Sequence, residues 1–168
     1  MPRDSLARLA RAWLLTTVVD GLFSTALNVF AYHSTIAQLW QRVASTLLGP
    51  AALTGGTRTM LIGLLMHAGV ALVWSTVFFG LMTSWPWLRR AVARPSGALE
   101  VAVVYGPVVW LVMSLVVIPA LTGRPPAING RWWVQLLGHI PFVALPIVAQ
   151  WSRWPARRGA VSAAMSAA

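Results

Sequence analysis

The sequence predicts an all-α fold: an integral-membrane four-helix bundle with an interfacial amphipathic helix between its first and second spans. Three observations carry this. The 168 residues are 58% hydrophobic and only 10% charged, with mean hydropathy +0.70, far more apolar than a soluble domain of that length. Four apolar runs, 12–32, 59–83, 98–121 and 132–151, are each long enough to cross hydrocarbon about 30 Å thick, which takes about 20 helical residues. Tryptophan gives the third. Trp13, Trp85, Trp87, Trp132, Trp133 and Trp151 stand at run ends, and Trp40 and Trp154 just outside them, the headgroup level that indole prefers.

The first run follows Arg3, Arg8 and Arg11 and carries Thr16, Asp20, Ser24 and Asn28 every four residues, a polar stripe on one helical face. A cleaved signal peptide is the competing reading. Asp20 interrupts the apolar stretch and no clean A-x-A site follows, so a retained span is expected. Next, IAQLWQRVASTLL sets Ile36, Trp40, Val43 and Leu47 opposite Gln38, Gln41, Arg42 and Ser45, which predicts a helix over 35–48 lying in the outer headgroup layer. His33 is read as an interfacial residue, and GPAALTGG turns the chain back.

The second span carries Gly63, His67, Ala71 and Ser75 on one stripe, and the third carries Ala98, Ala102 and Gly106 at four-residue intervals. Small residues at that spacing let membrane helices approach closely. Pro95 and Ser96 suit a helix start, and Glu100 in the first turn, near Arg89, Arg90 and Arg94, reads as structural. Pro119, Pro125, Pro126 and Asn129-Gly130 are turn formers after the third span. In the fourth, Pro141 and Pro146 free carbonyls about four residues upstream and kink the helix beside His139. Residues 155–168 read as a frayed tail.

All thirteen basic residues are arginine, and the formal charge is +10. They sit between the apolar runs rather than on one patch, which argues for topology determinants and against nucleic acid. Nine of the thirteen flank the termini and the second loop. That excess predicts a multi-pass protein of the bacterial cytoplasmic membrane with both termini cytoplasmic. The absence of cysteine removes disulfides, thiolate metal sites and thiol nucleophiles.

A rise of about 1.5 Å per residue puts His67 and His139 roughly 10 to 12 Å below the outer surface, with Asn28 and Ser114 near them and Asp20 about a turn deeper. Asp20, Asn28, His67, Ser114 and His139 thus form an expected intramembrane polar cluster, one or more from each span.

Three segments, QRVASTLLGPAALTGGTRTMLIGLLMHAGVALVWSTVFF, VVYGPVVWLVMSLVVIPALTG and WWVQLLGHIPFVALPI, resemble a widespread group of small bacterial inner-membrane proteins with four crossings. RPPAINGRWWVQLLGH more distantly resembles the YagU family. The likeness covers residues 20–150 and rests on Asp20, Arg42, Gly49, Gly55-Gly56, His67, Tyr105-Gly106, Met113, Pro119, His139 and Pro146. It implies the four-crossing fold and no particular chemistry. This chain has Ser114 where the group commonly has Asn after its Met, so a ligand needing an amide there is not implied.

Three roles fit the cluster. In the first it is structural: a non-enzymatic accessory protein whose polar groups hydrogen-bond across helices, weakly stabilising but fixing register. The alternative is a small-solute or proton transporter or channel using Asp20, His67 and His139, since imidazole suits proton exchange near neutral pH. A third is a b-type haem ligated by His67 and His139; no cofactor or metal is otherwise expected. The sequence lacks G-x-S-x-G, H-E-x-x-H, Ser-x-x-Lys and a phosphate-cradling glycine loop, so no catalytic residues are assigned, although lipid-modifying chemistry at Asp20 and a histidine stays open. The expected partners are the lipid bilayer and another membrane protein or a second copy.

Overall fold

The computed structural model describes residues 3–152, and every regular element among them is helical. Four helices are long and apolar enough to cross a membrane: Asp4–Ala31, Gly56–Ser84, Ser96–Thr122 and Gly130–Ala149. The expected frayed tail 155–168, with Trp154 and Arg153, Arg157 and Arg158, lies outside the described residues.

Helix α1 spans Arg3–Ala26 and runs on through a π-helical turn, Leu27–Ala31. Helix α2 is Ile36–Leu48, followed by a 3₁₀ turn, Pro50–Thr54. Helix α3 is Gly56–Ser84, α4 is Pro86–Val92 and α5 is Pro95–Val112. A second π turn, Met113–Val117, joins α5 to α6, Ile118–Thr122. Helix α7, Gly130–His139, passes through a third π turn, Ile140–Ala144, into α8, Leu145–Ala149.

Several expectations change here. Helix α1 starts nine residues before the apolar run, because Asp4 and the arginines after it are tolerated in a solvated helical turn. Trp13 is therefore well inside the helix, and its Nε1 donates to the Ala68 carbonyl at 2.9 Å rather than marking a helix end. Pro119 does not end the third helix: it falls in the first turn of α6, and the chain stays helical until Gly123, in the left-handed region at φ 65°. The second loop contains α4, which Pro86 opens at its first turn. Glu100 is exposed and forms no ion pair with Arg89, Arg90 or Arg94 among the described residues. Arg89 instead donates to the carbonyls of Met82 and Thr83, both at 2.9 Å, and so caps the last turn of α3 with a cation.

Small residues stand at close helix contacts. Ala98 and Ala102 are buried, and a Cβ on Gly106 would stand 2.6 Å from the His139 carbonyl oxygen. Gly63 lies against the Trp40 carbonyl so closely that any side chain would collide with it. The dense core, including Phe78, Val92, Tyr105, Ile147 and Val148, occupies the end of the bundle that carries α4. The Tyr105 hydroxyl donates to the Trp74 carbonyl at 2.7 Å and locks α5 to α3 there. Beyond that lock, toward α2 and the loop after α6, the helices separate and leave cavities.

Candidate functional site

Asp20 and His67 face each other across α1 and α3. His67 Nε2 is 3.1 Å from the Thr17 carbonyl oxygen, and since a carbonyl only accepts, Nε2 carries a hydrogen and donates it. The other ring nitrogen, Nδ1, points to Asp20 Oδ2 at 3.8 Å, beyond a direct hydrogen bond. Both side chains are largely buried, with 15% and 13% of their surfaces exposed. Helix packing fixes the imidazole's place: a Cβ on Gly21 would stand 3.5 Å from His67 Nε2, and the Trp40 ring lies 5.1 Å away between centroids.

His139 is held with the opposite polarity. Its Nδ1 donates to the Gln135 carbonyl at 2.7 Å, so Nε2 is left as the outward nitrogen. The ring is buried and lies 4.9 Å from Trp110 between centroids. The proline beside it acts otherwise than expected. Pro141 frees the Leu137 carbonyl, but the backbone N–H of Ile140 takes that carbonyl, and the imidazole turns back one residue pair further to Gln135.

One partly enclosed cavity of about 240 Å³ joins these groups. Its polar wall is Thr16, Asp20, Ser24, His67, Gln135 and His139, and indoles and aliphatic side chains complete it. Thr16 Oγ1 and Asp20 Oδ1 are buried without a hydrogen-bond partner among the described residues. Of the expected cluster, Asp20, His67 and His139 therefore meet around one space. Asn28 does not: its amide donates to the Ser24 carbonyl at 2.9 Å, within the widened end of α1. Ser114 lines a neighbouring cavity of about 370 Å³.

Comparison with protein families, curated proteins and solved structures returns no match for this chain. Its function has to be read from the site itself.

Sequence reasoning missed Trp40, Trp110 and Gln135. Trp40 was assigned to the headgroup layer, yet α2 packs along α3, burying Trp40 over His67. The missed signal is Gly63, which admits α2 to that approach. Among the described residues, no group of three or more His, Cys, Asp or Glu side chains is arranged to hold a metal ion. What the arrangement can do is hold a proton. With Nε2–H committed to Thr17, the lone pair of His67 Nδ1 and the carboxylate of Asp20 face one another 3.8 Å apart, and a proton on His67 turns this opposition of two acceptors into an attractive ion pair. A carboxylate and a lone pair left bare in an apolar surround would cost several kcal/mol.

Proposed function

We propose that the chain is a multi-pass protein of the bacterial cytoplasmic membrane, with both termini cytoplasmic, whose central cavity binds a small polar solute and exchanges a proton with it through Asp20, His67 and His139. Asp20 and His67 store the proton. His139 presents Nε2 to the cavity as the second exchanging atom, and Trp40 and Trp110 supply the apolar walls that exclude bulk water.

The observation that supports this over a purely structural cluster is the unpartnered Asp20 Oδ1 on the cavity wall. A cluster kept to fix helix register satisfies its own polar groups, because a half-satisfied one costs more than an apolar contact. Ionisable groups inside membranes that keep a free face mark ion and solute paths. The structural reading draws its own support from the His67 bond to Thr17, which ties α3 to α1.

Protein reconstituted in liposomes with an entrapped pH dye separates the two. After an external acid pulse, the interior acidifies faster with the wild type than in empty liposomes. Asp20→Asn returns the rate to that of empty liposomes while thermal stability in detergent holds or rises, since a buried amide needs less compensation than a carboxylate. Equal rates in all three samples, together with lower stability for Asp20→Asn and His67→Gln, would leave only the structural role.

A further inference from the structure

The neighbouring cavity opens a second question, because its polar equipment is larger than the proton site needs. Ser114 Oγ, Trp110 Nε1 and Trp132 Nε1 are buried donors without a partner among the described residues, and all three residues line this space together with Arg124 and Arg131. Ser114 and Trp132 are more than nine-tenths buried. An indole N–H can only donate, and a hydroxyl without an acceptor is equally unsatisfied. Buried donors of this kind call for an acceptor in the cavity. Two guanidinium groups at its rim specify a charged, oxygen-rich one, because Arg matches phosphate geometry with paired N–H groups. Arg131 is already positioned, its guanidinium 4.1 Å over the Tyr32 ring centroid.

Beside this pocket the wall changes character. A groove of about 510 Å³ runs between α2, α3 and the segment 113–122 beyond α5, lined by Met66, Val73, Met113, Val117 and Leu121, with Gly69 on its wall and Thr46 its one polar side chain. Ile118 lines the groove, the Arg124–Arg131 pocket and the central cavity alike. Leu121 and Leu47 of the groove also border a pocket of about 280 Å³ that again includes Arg124. A polar chamber with two arginines thus adjoins, across Ile118, a mainly apolar groove.

We infer that this composite space binds a lipid-like amphiphile, its phosphate-type oxyanion between Arg124, Arg131, Ser114 and the two indoles, and its hydrocarbon tail between α3 and the segment 113–122. The inference goes beyond the proton site and needs only that the chain be membrane-embedded. A free phosphate ion shares the headgroup chemistry but leaves the groove unused.

Gly69 makes the test clean. A Cβ there meets nothing within 4 Å, so Gly69→Phe starts its side chain in open space on the groove wall. Gly80 is equally open but off the groove, so Gly80→Phe controls for a bulky residue on α3. Dodecyl phosphate, inorganic phosphate and dodecanol are titrated into the full chain in a maltoside detergent, with thermal shift and native mass spectrometry as readouts. Dodecyl phosphate should bind saturably, and Gly69→Phe and Arg124→Gln should each weaken it about tenfold or more, equivalent to about 1.4 kcal/mol. Gly80→Phe and Asp20→Asn should bind it like the wild type; Asp20→Asn then separates loss of the proton function from loss of this site. Unchanged affinity in Gly69→Phe, inorganic phosphate binding as tightly as dodecyl phosphate, or dodecanol doing so would each overturn the proposal.

Discussion

The Gly106 contact shows how one missing side chain sets the site. Its hydrogen faces the His139 carbonyl, where a Cβ would stand 2.6 Å away and 2.8 Å from the Ile140 nitrogen. Backbone cannot yield as a flexible side chain would, so Gly106→Ala must push α5 away from α7. The expected cost is about 1 to 3 kcal/mol, read as a lower unfolding midpoint in detergent, and His139 should shift against Trp110. An unchanged midpoint would mean that the two helices do not pack there. The sequence made Gly106 legible as a contact residue through its spacing from Ala98 and Ala102. It could not show that the contact is His139, because spacing gives a face and not the partner's register. For the same reason His67 and His139 were legible as polar groups expected in one layer, with Asp20 about a turn deeper, while the hydrogen bonds to Thr17 and Gln135 were not: main-chain carbonyl acceptors have no signature in side-chain pattern.

Three of the four long helices widen by a π turn, at Leu27–Ala31, Met113–Val117 and Ile140–Ala144. Each inserts one residue into the ladder and turns the side chains beyond it, a device common at functional sites. Sequence periodicity assumes constant winding, so Asn28 and Ser114, both inside such turns, were assigned to the central face and fall elsewhere. The helix that amphipathic spacing predicted over 35–48 is Ile36–Leu48, and a capping box fixes its start. The Thr35 hydroxyl accepts from the Gln38 N–H, and Gln38 Oε1 accepts from the Thr35 N–H, both at 3.1 Å. Thr35→Ala removes half of that pair and should destabilise α2 by about 1 kcal/mol. Hydrogen exchange would show faster opening of the first turn of α2, with α5 unchanged; equal protection in both would argue that the helix is held by Trp40 packing alone. Trp40 itself escaped because amphipathic pattern places an apolar face against something without saying whether lipid or protein.

At the scale of the molecule, packing is uneven in a way that suits a binding protein. The end around Phe78, Val92 and Ile147 is dense, while the α2 end holds the cavities, with Tyr105 at the boundary. Four helices long and apolar enough to cross a membrane, their order and the helix between the first two were readable because a span's length and polarity are the strongest pattern such a sequence carries. The cavities were not, since they arise from how far α3 and α5 separate after Tyr105 clamps them. The central claim is that polar side chains from α1, α3 and α7 converge on one space, and it has a direct test. Among three histidines, His33 is exposed and serves as an internal reference for nitrogen NMR of histidine-labelled protein in bilayers. His67 should carry its fixed hydrogen on Nε2 and His139 on Nδ1, and Asp20→Asn should move both signals while leaving His33 in place. If His67 and His139 instead average between tautomers as a solvated imidazole does, and neither responds to Asp20→Asn, the three residues do not meet.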